Sequence, residues 1–299
     1  MYWPVTATLL SGFRFAYVDI VLGLGFSLAW RRELASLKSG DMFVWVGVNG
    51  KRSQPWKSLR ERGVRTVMYN TEPILKTHCE LVGQVDELWD FSWFNIEQCN
   101  RSKTLPENRP VLRYVPPGHL NVSLGSIIPP ENVQSPELRK NISHQALMFF
   151  GSVHHGRSEC VRTLQHALGS QLQWTYNVWT DPQFDETMRR YSVFVNLHKG
   201  CGTRMPVTFR NIVLLNSAKI IISDRCHPRD EEMFSGLIHF RELAEIAESF
   251  FRVKSDNISV DQERIHKRFQ ERFSPERLFR RARVYQEWNL QTNILGYQG

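Results

Sequence analysis

What this sequence lacks narrows it before any motif is read. Its five cysteines, at 79, 99, 160, 201 and 226, include no Cys-x-x-Cys pair and no His/Cys cluster at zinc-ligand spacing. A structural zinc site is therefore not expected, and the odd count argues against a complete disulfide framework. There is no apolar run of the roughly 20 residues that a membrane-spanning helix requires. The nearest approach lies between Arg14 and Arg31, sixteen residues that include Asp19. No basic stretch precedes it and no small-x-small site ends it, so a cleaved signal peptide is not expected either. The expectation for residues 16–37 is a helix packed on the first sheet.

Long basic runs are missing too, although 38 Lys and Arg against 30 Asp and Glu leave a net charge of +8. That balance favours an anionic partner without choosing among a nucleotide, nucleic acid and an acidic membrane. The richest stretch, HKRFQERFSPERLFRRAR from His266 to Arg283, is interrupted by Glu271 and Glu276 and reads as a solvated helix face rather than a nucleic-acid patch. No close carboxylate pair of the D-x-D kind marks the polar loops. Asp230, Glu231 and Glu232 read as a helix cap with a solvated acidic face, so no metal site is expected. No short-period repeat is present. The sequons Asn121-Val-Ser, Asn141-Ile-Ser and Asn257-Ile-Ser would matter only in a secretory lumen; the expected location is cytoplasmic, with the lumen left open by them.

What is present centres on Val193 to Asp224. VFVNLHKG reads as a buried strand entering a polar loop, and MPVTFRNIVLLNSAKIIISD reads as an apolar helix followed by a second buried strand. Ligands of α/β proteins bind where loops leave the carboxyl ends of strands. His198, Lys199, Arg204, Thr208, Arg210 and Asn211 would then converge on one anion-holding crevice. The plain alternative is an ordinary βαβ unit with a polar loop. Upstream, ALMFFGSVHHGR offers a strand over 146–150, a turn at Gly151 and Ser152, and a helix from Arg157. Glycine permits close backbone approach and arginine supplies a bidentate donor, which together suit a diphosphate. His154 and His155 sit beside this turn, either touching phosphate or sugar or simply facing solvent.

Strands over 42–48, 66–69, 87–89 and 111–115 alternate with helical segments, which predicts a first α/β domain. The Pro-, Ser- and Asn-rich stretch 116–145 reads as the connection, and the strand-helix rhythm resumes from Ala146. Glu72, directly after the second strand, is either an acceptor-side contact or general base, or a helix cap together with Asn70 and Thr71. Asp90 and Ser92 read as caps for a helix over 93–101.

FFGSVHHGR, YSVFVNLHKG, PVTFRNIVLLNSAKIIISD, HPRDEEMFSGLIHFRELAEIAESF and RFSPERLFRRA together resemble the C-terminal domain of group-1-like GT-B glycosyltransferases, over roughly residues 146–283. VMYNTEP, VDELWDFSWFNIEQC and RYVPPGH are similar to N-terminal pieces of related sequences. The resemblance implies an α/β fold of two Rossmann-like domains facing across a cleft. The implied boundaries are an acceptor domain over 1–125, a linker over 126–145, a nucleotide-sugar domain over 146–274, and a C-terminal helix over 275–299 crossing back through Leu278, Phe279, Ala282 and Tyr285. It implies a metal-independent transfer from a nucleotide sugar, such as a UDP- or GDP-sugar, to a glycan, lipid or protein acceptor. No nucleic acid is expected, and peripheral membrane contact stays open. Glu72 and His198 stand as catalytic candidates, with Gly151, Ser152, Arg157, Arg204, Thr208, Arg210 and Asn211 holding the donor.

The chain departs from the family where many retaining members carry two glutamates eight positions apart, for it has Arg204 and Ile212 there. Thr208 stands where related sequences have a glutamate before the helix arginine, and Asp224 ends a strand that commonly ends in glutamate. Two other readings stand beside an enzyme: a non-catalytic GT-B-like binding or scaffold protein, for which these departures leave room, and a nucleic-acid-directed basic protein.

Overall fold

The computed structural model describes residues 31–46, 56–71, 82–102, 109–119, 143–153, 156–176, 181–198, 200–255 and 258–283. Glu72, Lys199, His154, His155, Tyr285, the three sequon asparagines, the stretch 14–30 and most of the expected linker lie outside them. Of the helix expected over 16–37, residues 31–36 are described, and they form a 3-10 turn. Among the described residues no helix is long and apolar enough to cross a membrane. The chain divides into two compact units: the described residues up to Pro116 together with those from Glu276 onward, and residues 117–275.

In the first unit, β1 (Met42–Val46), β2 (Arg65–Tyr69), β3 (Glu87–Asp90) and β4 (Val111–Tyr114) form a parallel sheet in chain order. The apolar run of β1 is what a parallel strand covered on both faces requires. Its Phe43 and Trp45 pack against Trp56 of α1 (Trp56–Glu61), with Leu59, Leu88 and Cys99 completing the core. Ser92 caps α2 (Trp93–Arg101) by accepting from the Phe94 N–H. Asp90 holds the cap in place, accepting from the Ser92 N–H and from the side-chain amides of Asn70 and Asn95.

Glu87 is fully buried, yet every side of its carboxylate is filled. Arg113 donates to both oxygens, at 2.9 and 3.2 Å, Arg65 donates at 2.6 Å and the Trp89 indole at 2.8 Å. Burial alone would raise its pKa; the bonds from Arg113, Trp89 and Arg65 outweigh burial and hold it below the usual glutamate value. Nη1 of Arg113 donates to the Ala282 carbonyl just past α9 (Pro275–Arg281), and Phe279 of that helix meets Trp89 edge to face at 5.1 Å. Leu278 and Phe279 are buried.

The second unit carries β5 (Ser143–Phe150), α3 (Arg157–Leu168), β6 (Leu172–Thr175), α4 (Asp181–Arg190), β7 (Tyr191–Asn196), α5 (Thr208–Asn216), β8 (Ile220–Asp224), α6 (Pro228–Met233), β9 (His239–Arg241), α7 (Ile246–Ser255) and α8 (Ile258–Arg272). The five strands are parallel in the order β6-β5-β7-β8-β9. The short α1 is one of the helical segments expected between the strands, whereas β9, three residues long, is too brief to leave a signal in the sequence. Asp230 corrects the expected solvated acidic face: it is fully buried, while His227 caps α6 by accepting from the Arg229 N–H.

Candidate functional site at the switch of strand order

Strand order in the second sheet runs outward in two directions from β5, to β6 on one side and to β7 on the other. The loops after β5 and β7 therefore part from each other, and such a switch point is where open α/β sheets take ligands. The first loop carries Gly151 and Ser152, and the second carries His198.

Gly151 follows β5 with φ of 132°, a conformation open to glycine, and a Cβ there would lie 2.6 Å from Nη2 of Arg210. The missing side chain is what lets Arg210, from the first turn of α5, reach across β5. Its guanidinium lies over the rings of Phe149 and Phe150, at 5.5 and 5.3 Å, and Nη1 donates to Asn196 Oδ1 at 2.8 Å. Asn196 passes the chain on by donating to Asn211 Oδ1 at 2.5 Å. Burial, followed by repulsion from Arg157, lowers the Arg210 pKa to about 9, against the pull of Asp224.

Arg157, at the start of α3, is also buried, and it spends its donors on the main chain. Nε donates to the carbonyls of Leu197 and His198, at 3.1 and 2.7 Å, and Nη1 to that of Ser152 at 3.2 Å. One arginine thus pins both loops. Asp224, at the end of β8, accepts from the His198 N–H through both oxygens, at 3.2 and 3.3 Å. Burial raises its pKa to about 7, with the His198 bond and the two arginines pulling the other way.

His198 is fully buried. Nδ1 lies 3.0 Å from the Thr203 carbonyl, which can only accept, so this nitrogen carries the proton. Burial lowers the imidazole pKa to about 4 against that hydrogen bond, with both arginines adding to the fall. The 3.2 Å approach of Nδ1 to Asp224 is therefore a contact with a neutral ring, not an ion pair. Nε2 is left as a bare acceptor.

Four buried polar atoms here have no hydrogen-bond partner among the described residues: His198 Nε2, Thr208 Oγ1, Arg210 Nε and Asn211 Nδ2. Three lie in the first turn of α5. The N-cap residues of α5 and α3, Val207 and Gly156, make no side-chain cap, whereas α2 and α6 are capped. Uncapped first-turn amides and unpaired donors suit a multi-oxygen anion, and Nε2 suits a hydroxyl. The structure thus brings together Gly151, Ser152, Arg157, His198, Thr208, Arg210 and Asn211. Arg204 stands apart: its side chain is exposed, and its carbonyl accepts from the His227 N–H at 2.9 Å.

Asn196 was missed as a site residue, although a polar residue ending an apolar strand is a readable signal. The partnership of Asp224 with His198, 26 positions apart, left none. A disulfide joins Cys160 of α3 to Cys201 in the loop after β7, with Cα atoms 5.9 Å apart, where the sequence suggested no pairing.

No protein-family model matches the sequence, and no curated protein does either. Solved structures do. The GtfA/B complex superposes with a TM-score of 0.51 at 8% identity, over 86% of this chain and 59% of that one. An α,α-trehalose-6-phosphate synthase from Burkholderia multivorans gives 0.52 at 10% identity, over 92% and 75%. A glycosyltransferase from Rickettsia africae gives 0.51 at 11% identity, over 96% and 84%. The chain spans less than two thirds of the GtfA/B chain it resembles. The shared architecture is the GT-B fold, as the sequence resemblance implied.

Proposed function

We propose that the protein is a glycosyltransferase that binds a nucleotide-sugar donor at the switch between β5 and β7 and passes the sugar to an acceptor. The observation that carries this reading is the set of four unpartnered polar atoms, on His198, Thr208, Arg210 and Asn211, gathered at an uncapped helix start beside two buried arginines. Left unpaired, such groups cost stability, which a ligand supplying partners would restore. In this reading the diphosphate meets the first turns of α3 and α5, Asn211 and Thr208 donate to its oxygens, and His198 Nε2 accepts from a hydroxyl of the donor sugar. As the bond from the anomeric carbon to the β-phosphate oxygen breaks, charge builds on the diphosphate and the fixed positive potential of Arg157 and Arg210 stabilises it. A bond then forms from the anomeric carbon to the acceptor oxygen, whose proton passes to a base, for which Glu72 is the candidate. Because the arginines supply the positive charge, transfer is proposed to proceed without a divalent cation. Continued turnover in excess chelator checks that point.

Calorimetric titration with UDP and GDP tests the site. Arg210→Ala should weaken binding by about tenfold or more, since a charge-assisted hydrogen bond contributes about 1.5–3 kcal/mol. Unchanged affinity would remove the reading.

A second reading has its own support. The positions of the family's glutamate pair hold Arg204, which is exposed, and Ile212, which is fully buried, and the carboxylate of Asp224 is already engaged by His198. A chain that holds the donor without turning it over, as the partner of an active subunit, fits those substitutions, and the similar GtfA/B structure is of a complex. Donor hydrolysis by the purified protein separates the two.

A further inference from the structure

We propose that Cys160 and Cys201 form a redox modification site, whose disulfide clamps the loop after β7 onto α3 and whose reduction releases it. The two residues are 41 positions apart in sequence and 5.9 Å apart at Cα, within the range a disulfide spans. Cys160 is buried on α3, one turn beyond Arg157, and Cys201 lies exposed in the turn at 200–202.

That placement fastens one loop to one helix at two points. At its root, Arg157 holds the carbonyls of Leu197 and His198. At its tip, Cys160 holds Cys201. The first attachment persists in any redox state, whereas the second exists only when oxidised. Without it the tip keeps short-range bonds, from the Thr203 N–H and hydroxyl to the Gly200 carbonyl and from His198 Nδ1 to the Thr203 carbonyl. In the disulfide-bonded structure the Cys201 sulfur lies 3.3 Å from the Gly156 carbonyl, an acceptor within reach of the thiol that reduction would form.

Competing thiols among the described residues are poorly placed. Cys99 is fully buried in the other unit, and burial together with Asp230 and Glu231 pushes the Cys226 thiol well above its ordinary range. A low-molecular-weight disulfide completes the chemistry. The exposed Cys201 thiolate attacks one of its sulfurs and displaces a thiol, and Cys160 then attacks the mixed disulfide and displaces the second thiol. The protein loses two protons and two electrons, and the small disulfide becomes two thiols.

The clamp needs no ligand, so it is independent of the nucleotide reading. The test equilibrates the full chain with oxidised or reduced glutathione, alkylates the remaining thiols, maps peptides by mass spectrometry and follows amide exchange over 200–203. The expected result is a 160–201 linked peptide in the oxidised sample, with exchange over 200–203 rising about tenfold or more on reduction. Cys201→Ser should exchange like the reduced protein under both conditions, and Cys226→Ala should behave like the parent. Free thiols at both positions in oxidised glutathione, a link from Cys201 to a different cysteine, or equal exchange in both states would each overturn the proposal. A linked, protected loop in a protein that binds no UDP would support the clamp and count against the nucleotide site.

Discussion

Arg113 in the first unit and Arg210 in the second are both buried beside parallel strands, and their surroundings diverge. Arg113 meets a carboxylate with both oxygens shared and gives its remaining edge to a helix-end carbonyl. Arg210 meets a neutral amide and two aromatic faces, and its Nε is left over. The sheets differ in the same sense: the first runs in chain order without a reversal, and the second reverses beside β5. Where a buried charge is matched in place, the cluster holds the fold together. Where it is left incomplete at a point where loops diverge, the polar atoms left over are those that the proposed donor would complete.

Removing Glu87 tests the first half of that contrast and should have the largest effect. Glu87→Ala leaves Arg113 buried without its partner, a change that typically costs about 3–5 kcal/mol. Arg210→Leu, which removes a cation that already lacks a full set of partners, should cost clearly less in the same denaturant series. Equal losses would erase the distinction between the clusters.

The pH dependence of binding comes next. Asp224, raised to about 7, is neutral at pH 6 and charged at pH 8, while Arg210 stays charged throughout because its lowered value is about 9. Affinity for a UDP-sugar, whose diphosphate charge is constant over this window, should rise by roughly tenfold from pH 8 to 6. Asp224→Asn should abolish the slope, and Glu87→Gln should leave it intact. Stability itself should respond weakly. A raised Asp224 makes the folded state lose stability as pH climbs from about 4 to 7, while a lowered His198 makes it gain from about 4 to 6.5.

Two small substitutions of opposite sign sharpen the comparison further. Ser92→Ala removes a cap that is in use and should cost about 1 kcal/mol. Thr208→Val removes a buried hydroxyl that has no partner and should be neutral or stabilise by up to about 1 kcal/mol, while weakening UDP binding. Parallel melting curves and titrations report both.

Much of this was legible in the chain. The apolar runs of β1, β7 and β8 announced strands buried on both faces, and the helix over 93–101 matched its expected bounds. Glycine before a basic helix start located the loop after β5. Spacing along the chain carried no information about what Arg157 would touch: it was expected to face a ligand, and its bonds go to three main-chain carbonyls. The Glu87–Arg113 pair and the Cys160–Cys201 bridge were equally hidden, because each joins residues brought together by strand order rather than by local periodicity.

The bare starts of α3 and α5 make the protein's own melting temperature a reporter of what it binds. A compound that occupies those helix ends adds RT ln(1 + [L]/Kd) to the folding free energy, about 2.7 kcal/mol at a hundredfold excess over Kd. A thermal-shift panel of nucleotides and nucleotide sugars would therefore rank candidate donors with no acceptor in hand and no catalytic assay, and it would do so whether or not the chain turns its ligand over.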